Sequence, residues 1–234
     1  MAVTHASSED FVIPAPAVPA LAVEGGGRFP VRRIYCVGRN YAAHAREMGS
    51  DPDREPPFFF AKPADAVLPG GSLPYPPHTG AYHYEVELVV ALRSGGRDIP
   101  VSGALSHVYG YAVGLDMTRR DLQNAAKNTG RPWDLAKGSD FSAPCGLIRP
   151  AAKFGLPQAG GIRLAVNGAV RQKGDLADMI WSVAETIAYL SGFVALAAGD
   201  LIFTGTPDGV GPVVPGDTML AHIDGLDDLS VTVI

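Results

Sequence analysis

Glycine and proline interrupt this chain so often, at 28 and 20 of its 234 residues, that many short strands joined by tight turns are favoured over a helical bundle. Arg33-Ile34-Tyr35-Cys36-Val37 is a short strand run that stops at Gly38, and Asn40 to Met48 is rich in good helix formers. Pro52, Pro56 and Pro57 close that region, Phe58-Phe59-Phe60 resumes an extended segment, and Pro63 to Pro77 is rich in turns. From His83 to Leu92 and from Tyr109 to Met117, β-branched, aromatic and aliphatic residues predict two buried strands, with a turn at Gly95-Gly96 between them. Only one later stretch has helical periodicity: Met179, Ile180, Val183, Ile187 and Leu190 share a face, with Asp178 as N-cap and Gly192 as stop. Ala198-Gly199-Asp200 and Pro215-Gly216-Asp217 each introduce a further strand, Leu201 to Phe203 and Met219 to Ile223.

The length suits one globular domain over residues 31–234, preceded by an extension over 1–30 that is rich in Ala, Pro and Gly. A formal net charge of -5 and the lack of a Lys/Arg cluster argue against nucleic acid, whose phosphates need a basic face. No apolar run approaches the roughly 20 residues of a membrane helix. The apolar segment from Phe11 to Val23 is broken by Pro14, Pro16 and Pro19 and follows Glu9 and Asp10 rather than positive charge, so no export signal is read and a cytoplasmic setting is expected. Cys36 and Cys145 lie far apart with no CxxC spacing, which points to buried free thiols.

The densest chemistry lies in His83-Tyr84-Glu85-Val86-Glu87-Leu88-Val89-Val90. Side chains alternate along a strand, so Glu85 and Glu87 share a face, and His83 with them. A half-exposed sheet would carry the same alternation at no cost. Here Val89 and Ala91 continue the glutamate face, which sets the acids near apolar surroundings where an unpaired charge is expensive. Asp116 ends the next strand run, and if the two strands are neighbours three carboxylates converge; oxygen-only ligation suits Mg²⁺ or Mn²⁺. His44 and Glu47, three apart on the short helix, suit either a general-base pair or a surface ion pair. Lys137 by default is an ordinary surface lysine. Thr204 to Gly211 is rich in glycine yet lacks the ending of a phosphate loop, and no nucleophile-elbow serine is present.

Several of these segments recur together in one family. Val37-Gly38-Arg39-Asn40-Tyr41-Ala42-Ala43-His44, Phe60-Ala61-Lys62-Pro63, Tyr84-Glu85-Val86-Glu87, Gly114-Leu115-Asp116-Met117-Thr118-Arg119-Arg120-Asp121-Leu122-Gln123, Val166-Asn167-Gly168 and Thr204-Gly205-Thr206-Pro207 follow one another as in the fumarylacetoacetate hydrolase superfamily. From about Arg33 onward the chain most resembles its short acylpyruvate and fumarylpyruvate hydrolases. The resemblance implies a mostly β fold with a few helices (α+β), a mixed β-sandwich roll, and a homodimer. It implies that Glu85, Glu87 and Asp116 hold Mg²⁺ or Mn²⁺ and that His44 and Glu47 activate water. It further implies that Lys137 polarises the substrate, while Arg120, Gln123 and the Thr206 turn contact its carboxylate and keto oxygen. After Lys137 relatives carry a small residue and then Phe, whereas this chain reads Gly138-Ser139-Asp140, a departure that bears on pocket shape.

The expected activity is metal-dependent hydrolysis of a small diketo acid, with fumarylpyruvate giving fumarate and pyruvate. Oxaloacetate decarboxylation or isomerisation of a 2-hydroxyhepta-2,4-diene-1,7-dioate would use the same scaffold without water attack. A non-catalytic module that binds a metal or a small acid is the alternative of another class.

Overall fold

A computed structural model describes residues 11–41, 55–155, 157 and 159–234. The region with His44 and Glu47 lies outside the described residues, as does most of the helix expected from Asn40 to Met48. In chain order the strands are β1 (Ala20–Ala22), β2 (Arg28–Pro30), β3 (Arg33–Gly38), β4 (Phe58–Lys62), β5 (Val67–Leu68), β6 (Gly71–Leu73), β7 (Tyr82–Tyr84), β8 (Val86–Leu92) and β9 (Val108–Leu115). They continue with β10 (Thr118–Arg119), β11 (Ala143–Pro144), β12 (Arg149–Pro150), β13 (Gly161–Val166), β14 (Ala169–Asp175), β15 (Asp200–Phe203), β16 (Gly211–Val213), β17 (Thr218–Ile223) and β18 (Leu229–Val233). The α-helices are α1 (Val101–Ala104), α2 (Arg120–Thr129), α3 (Asp134–Lys137), α4 (Ala151–Phe154) and α5 (Val183–Phe193). The mostly β, α+β architecture is thus the one expected, and no described helix is long and apolar enough to cross a membrane.

A six-stranded mixed sheet runs β12-β9-β8-β15-β3-β4, in which only the β15–β3 pair is parallel. A five-stranded sheet runs β14-β13-β17-β18-β6. Between them, Leu88, Val90, Val113 and Leu115 join Ile162, Leu164, Met219 and Val231 in one buried cluster. The opposite face of the first sheet carries Val89, Ala91, Ala112, Cys36 and Phe203, and Leu21, Val23, Phe29 and Val31 of the N-terminal segment cover it. β8 is therefore buried on both faces, which is why its sequence is apolar almost throughout. Both cysteines are free and buried, as expected.

Four local expectations are corrected. The strand read as continuous from His83 breaks at Glu85: β7 pairs with β10 and β16 in a small separate sheet, while β8 belongs to the large one. Gly95-Gly96 is not the whole connection from β8 to β9, because α1 and a 3₁₀ turn at Leu105–His107 intervene. The late helix starts at Val183 rather than after Asp178, because Ser182 and Glu185 close a capping box: Glu185 N–H donates to Ser182 Oγ and Ser182 N–H to Glu185 Oε2. Asp178 instead closes a 3₁₀ turn with Asp175, and Gly192 lies inside the helix. Finally, α2 is a second helix with no apolar stripe to announce it, since the residues it buries are Arg120 and Gln123.

Candidate metal centre and its pocket

The break at Glu85 and the sheet pairing beside it position the acids. Glu87 lies on β8 opposite Gly114 of β9, and Asp116 N–H donates to Glu85 C=O at 2.9 Å just beyond the ends of those strands. Two of the acids are thereby tied through the backbone. Oxygens from Glu85, Glu87 and Asp116, all buried, lie within 4.8 Å of one another. Gly205, with φ +99°, turns its N–H onto Glu87 Oε2 at 2.8 Å; a Cβ there would come within 2.7 Å of Asn40 Cβ, so the turn needs glycine.

Three cations are packed against this cluster. Lys137 Nζ donates to Glu85 Oε2 and Asp116 Oδ2, each at 2.7 Å, and Arg120 reaches Glu85 Oε1 at 2.5 Å. Lys62 Nζ lies 2.8 Å from Asp116 Oδ1 and donates to the carbonyls of Met117 and Lys137. Lys137 is thus far from a surface lysine: it ends α3 and is almost wholly buried. Burial works against its charge, but Asp116 and Glu85 outweigh that and hold its pKa above the ordinary lysine value. It is a fixed ammonium and not a base. Nothing in the spacing of Phe60-Ala61-Lys62-Pro63 shows that the Lys62 side chain turns inward, so its place beside the acids has no signal in the sequence.

Glu87 is the acid that none of the three cations touches. Burial, followed by the charges of Asp116 and Glu85, raises its pKa well above the usual carboxylate value, with the Gly205 N–H opposing. Asp116 Oδ1 is buried and takes no aligned hydrogen bond despite its ion-pair contact with Lys62. An undercompensated carboxylate, an oxygen with no aligned hydrogen bond and an all-oxygen ligand set fit a hard divalent cation, and Mg²⁺ or Mn²⁺ suits these donors.

Arg120 and Gln123 share a face of α2, where Arg120 donates to Gln123 Oε1 at 2.5 Å. Together with Glu85, Glu87, Asp116, Lys137 and Thr206 they line one pocket, so every expected site residue among those described is brought to the same place. Part of the remaining wall is aromatic. Phe58 and Phe60 of β4 pack on Trp133 with ring centroids 5.5 and 5.8 Å apart, and Lys137 Nζ lies 4.8 Å from the Phe60 centroid. At Gly138, the residue after Lys137, a Cβ would already meet Asp134 O at 2.9 Å. None of the three aromatics has a signal in the sequence as a wall residue, since sheet register and a loop bring them together.

A buried acid cluster ringed by fixed cations at the end of a mixed sheet defines a class of metal- and anion-binding enzyme sites. The chain belongs to the fumarylacetoacetate hydrolase family, whose model for the "Fumarylacetoacetate (FAA) hydrolase C-terminal" region matches residues 33–234. It is 44% identical over 202 residues to an oxaloacetate tautomerase of Arabidopsis thaliana, covering 86% of this chain and 90% of that one. It is also 44% identical over 189 residues to a fumarylpyruvate hydrolase of Ralstonia sp, covering 80% and 98%. The crystal structure of fumarylpyruvate hydrolase from Pseudomonas aeruginosa in complex with Mn²⁺ and pyruvate superposes with a TM-score of 0.94 at 56% identity, covering 96% of this chain and 99% of that one.

Proposed function

We propose that this protein hydrolyses a carbon–carbon bond of an acylpyruvate, with fumarylpyruvate the foremost substrate and fumarate and pyruvate the products. The observation that carries the proposal is the meeting of Glu85, Glu87 and Asp116 in a pocket whose other polar lining, chiefly Arg120, Lys137 and Thr206, suits carboxylate and keto oxygens. Hydrolysis is favoured over other chemistry of the same substrates by the likeness to the fumarylpyruvate hydrolase solved with Mn²⁺ and pyruvate.

In this reading Glu85, Glu87 and Asp116 hold Mg²⁺ or Mn²⁺, which supplies Lewis-acid polarisation of the 2-keto group. Arg120 and Gln123 grip the substrate carboxylate, and Thr206 donates to an oxygen of the pyruvate half. His44, oriented by Glu47, takes a proton from water while the water oxygen bonds to the distal carbonyl carbon. The Lys137 ammonium faces the oxyanion that develops there. As the carbon–carbon bond breaks, its electron pair leaves with the pyruvate half, and the proton held by His44 returns to that carbon. Phe58, Phe60 and Trp133 form the wall against the acyl chain and limit water beside it.

A second reading, turnover of oxaloacetate by tautomerisation or decarboxylation, is favoured by the 44% identity to the Arabidopsis oxaloacetate tautomerase. The two separate in a spectrophotometric screen of fumarylpyruvate, other acylpyruvates and enol-oxaloacetate with Mg²⁺, Mn²⁺ or chelator. Fumarylpyruvate is expected to be cleaved with the highest kcat/KM, only with metal, and His44→Ala to lose nearly all of that turnover. A higher kcat/KM on oxaloacetate, or full turnover in His44→Ala, replaces the first reading with the second.

A further inference from the structure

β14 is an edge strand whose residues are exposed or partly exposed except for one, Gln172, which is wholly buried. The register against β13 slips beside it, with Leu164 opposite Gln172 and Ala165 opposite Val170, so that Arg171 is the extra residue of a bulge. A bulge re-aims the neighbouring side chain. Here it sends an amide from the smaller sheet to the rim of the metal centre. Gln172 Oε1 accepts the N–H of Val86 at 3.0 Å, while Nε2 donates to Thr206 Oγ1 and to Pro207 C=O, each at 2.8 Å.

These partners leave the amide no choice of orientation. A peptide N–H can only donate and a carbonyl can only accept, so the oxygen must face Val86 and the nitrogen must face Thr206 and Pro207. Thr206 Oγ1 is consequently an acceptor towards Gln172, and the hydroxyl's own proton is left for another partner. Thr206 is buried and lines the pocket that holds the three acids. Val86 is the residue between Glu85 and Glu87, so the same amide also fixes the peptide that carries two of those acids.

We infer that Gln172 is a positioning residue that sets Thr206 as a hydrogen-bond donor into the pocket, selecting an anionic or carbonyl oxygen of the ligand there. The inference rests on the reading of that pocket as the site of a small oxo acid. Gln172 touches no ligand itself and acts through Thr206.

The test is a double-mutant cycle on the full chain with Gln172→Met, Gln172→Glu and Thr206→Val. The readouts are KM and kcat for the best acid from the screen, oxalate affinity by calorimetry with Mn²⁺, Mn²⁺ affinity alone, and Tm. Gln172→Met removes the amide in a similar volume. Gln172→Glu keeps an acceptor for Val86 but offers Thr206 an acceptor, drawing its proton away from the pocket. Each single variant is expected to raise KM and the oxalate Kd by about tenfold, the loss of one hydrogen bond to a charged group, with a smaller change in kcat. In the Thr206→Val background the Gln172 substitutions should add less than about twofold, since the group they act through is gone. Losses that multiply fully in that background, or a wild-type KM and oxalate Kd in both Gln172 variants, overturn the inference. Should Gln172→Met not fold, Gln172→Glu carries the cycle. A wild-type protein that turns over none of the acids but binds oxalate with the coupling intact sinks the proposed function and leaves this inference standing. An active enzyme with multiplying losses does the reverse, and a protein that neither reacts nor binds oxalate overturns both.

Discussion

Glu87 shows most directly how single residues divide stability from function. Its carboxylate is buried with a raised pKa and one backbone N–H for a partner, so in the metal-free protein its ionised form opposes folding. Glu87→Gln should therefore raise the Tm of metal-free protein while weakening Mn²⁺ binding by at least about tenfold. The pH dependence has a definite sign. Above the ordinary value of 4.5 the unfolded carboxylate ionises while the native one still holds its proton, so the wild type loses stability as pH rises. The glutamine variant has no such proton to lose. Its advantage should appear above that pH and be full once the native group has ionised, as thermal melts in chelator from pH 4 to 8 will show; a variant less stable than wild type at pH 8 contradicts the assignment. At this same scale the acids were legible because period-two alternation and apolar neighbours already mark Glu85 and Glu87 as an expensive pair. Lys62, Phe58 and Gln172 were not, because each meets the site through contacts distant in sequence, such as the 55-residue separation of Lys62 and Met117.

Among the elements, apolar runs identified several strands that pack on the core but not β13 or β18, whose Ile162, Leu164 and Val231 also lie there, and they failed for the helix that faces the site. The strands around Ile34, Val113, Ile202 and Ala221 emerged near their observed limits, whereas the run around Leu88 was read through the break at Glu85. α2 did not, since its buried face is Arg120 and Gln123 and a hydrophobic pattern cannot reveal a helix whose inner side is polar. For α5 the apolar spacing was correctly read but extended too far towards the N-terminus. Ser182-Val183-Ala184-Glu185 carries the capping signal, and Ser182 Oγ accepts the Glu185 N–H in the capping role expected of Asp178. Ser182→Ala should cost about 1 kcal/mol of stability, whereas Asp178→Ala, which removes only a bond at the edge of a 3₁₀ turn, should cost less; chemical denaturation of the two variants compares them. Equal losses would mean that the capping box does not govern where the helix begins.

At the scale of the whole molecule, two layers of core are wrapped around one sheet. The outer one depends on Leu21 and Phe29 from β1 and β2, which lie in the segment that sequence composition marked only as an extension. Leu21 is wholly buried, so Leu21→Ala should destabilise the protein by about 2–5 kcal/mol, the range for emptying a packed leucine site. Denaturant melts measure it, and a loss below about 1 kcal/mol would show that this segment is not integral to the fold. Mn²⁺ affinity of the folded variant should be retained, because Leu21 packs in the cluster with Val89 and Ala91 and not in the acid pocket.

The acids and their cations come from strand ends, α2 and the last residue of α3, while the aromatic wall comes from β4, at the rim of the large sheet, and from the loop at Trp133. Such a layout makes the two halves of recognition separately adjustable. On the proposed function, exchanging Phe58, Phe60 or Trp133 would redraw which acyl tail is admitted while the ionic grip on the constant end stays as it is, so a lineage built on this plan would change diet without rebuilding its chemistry.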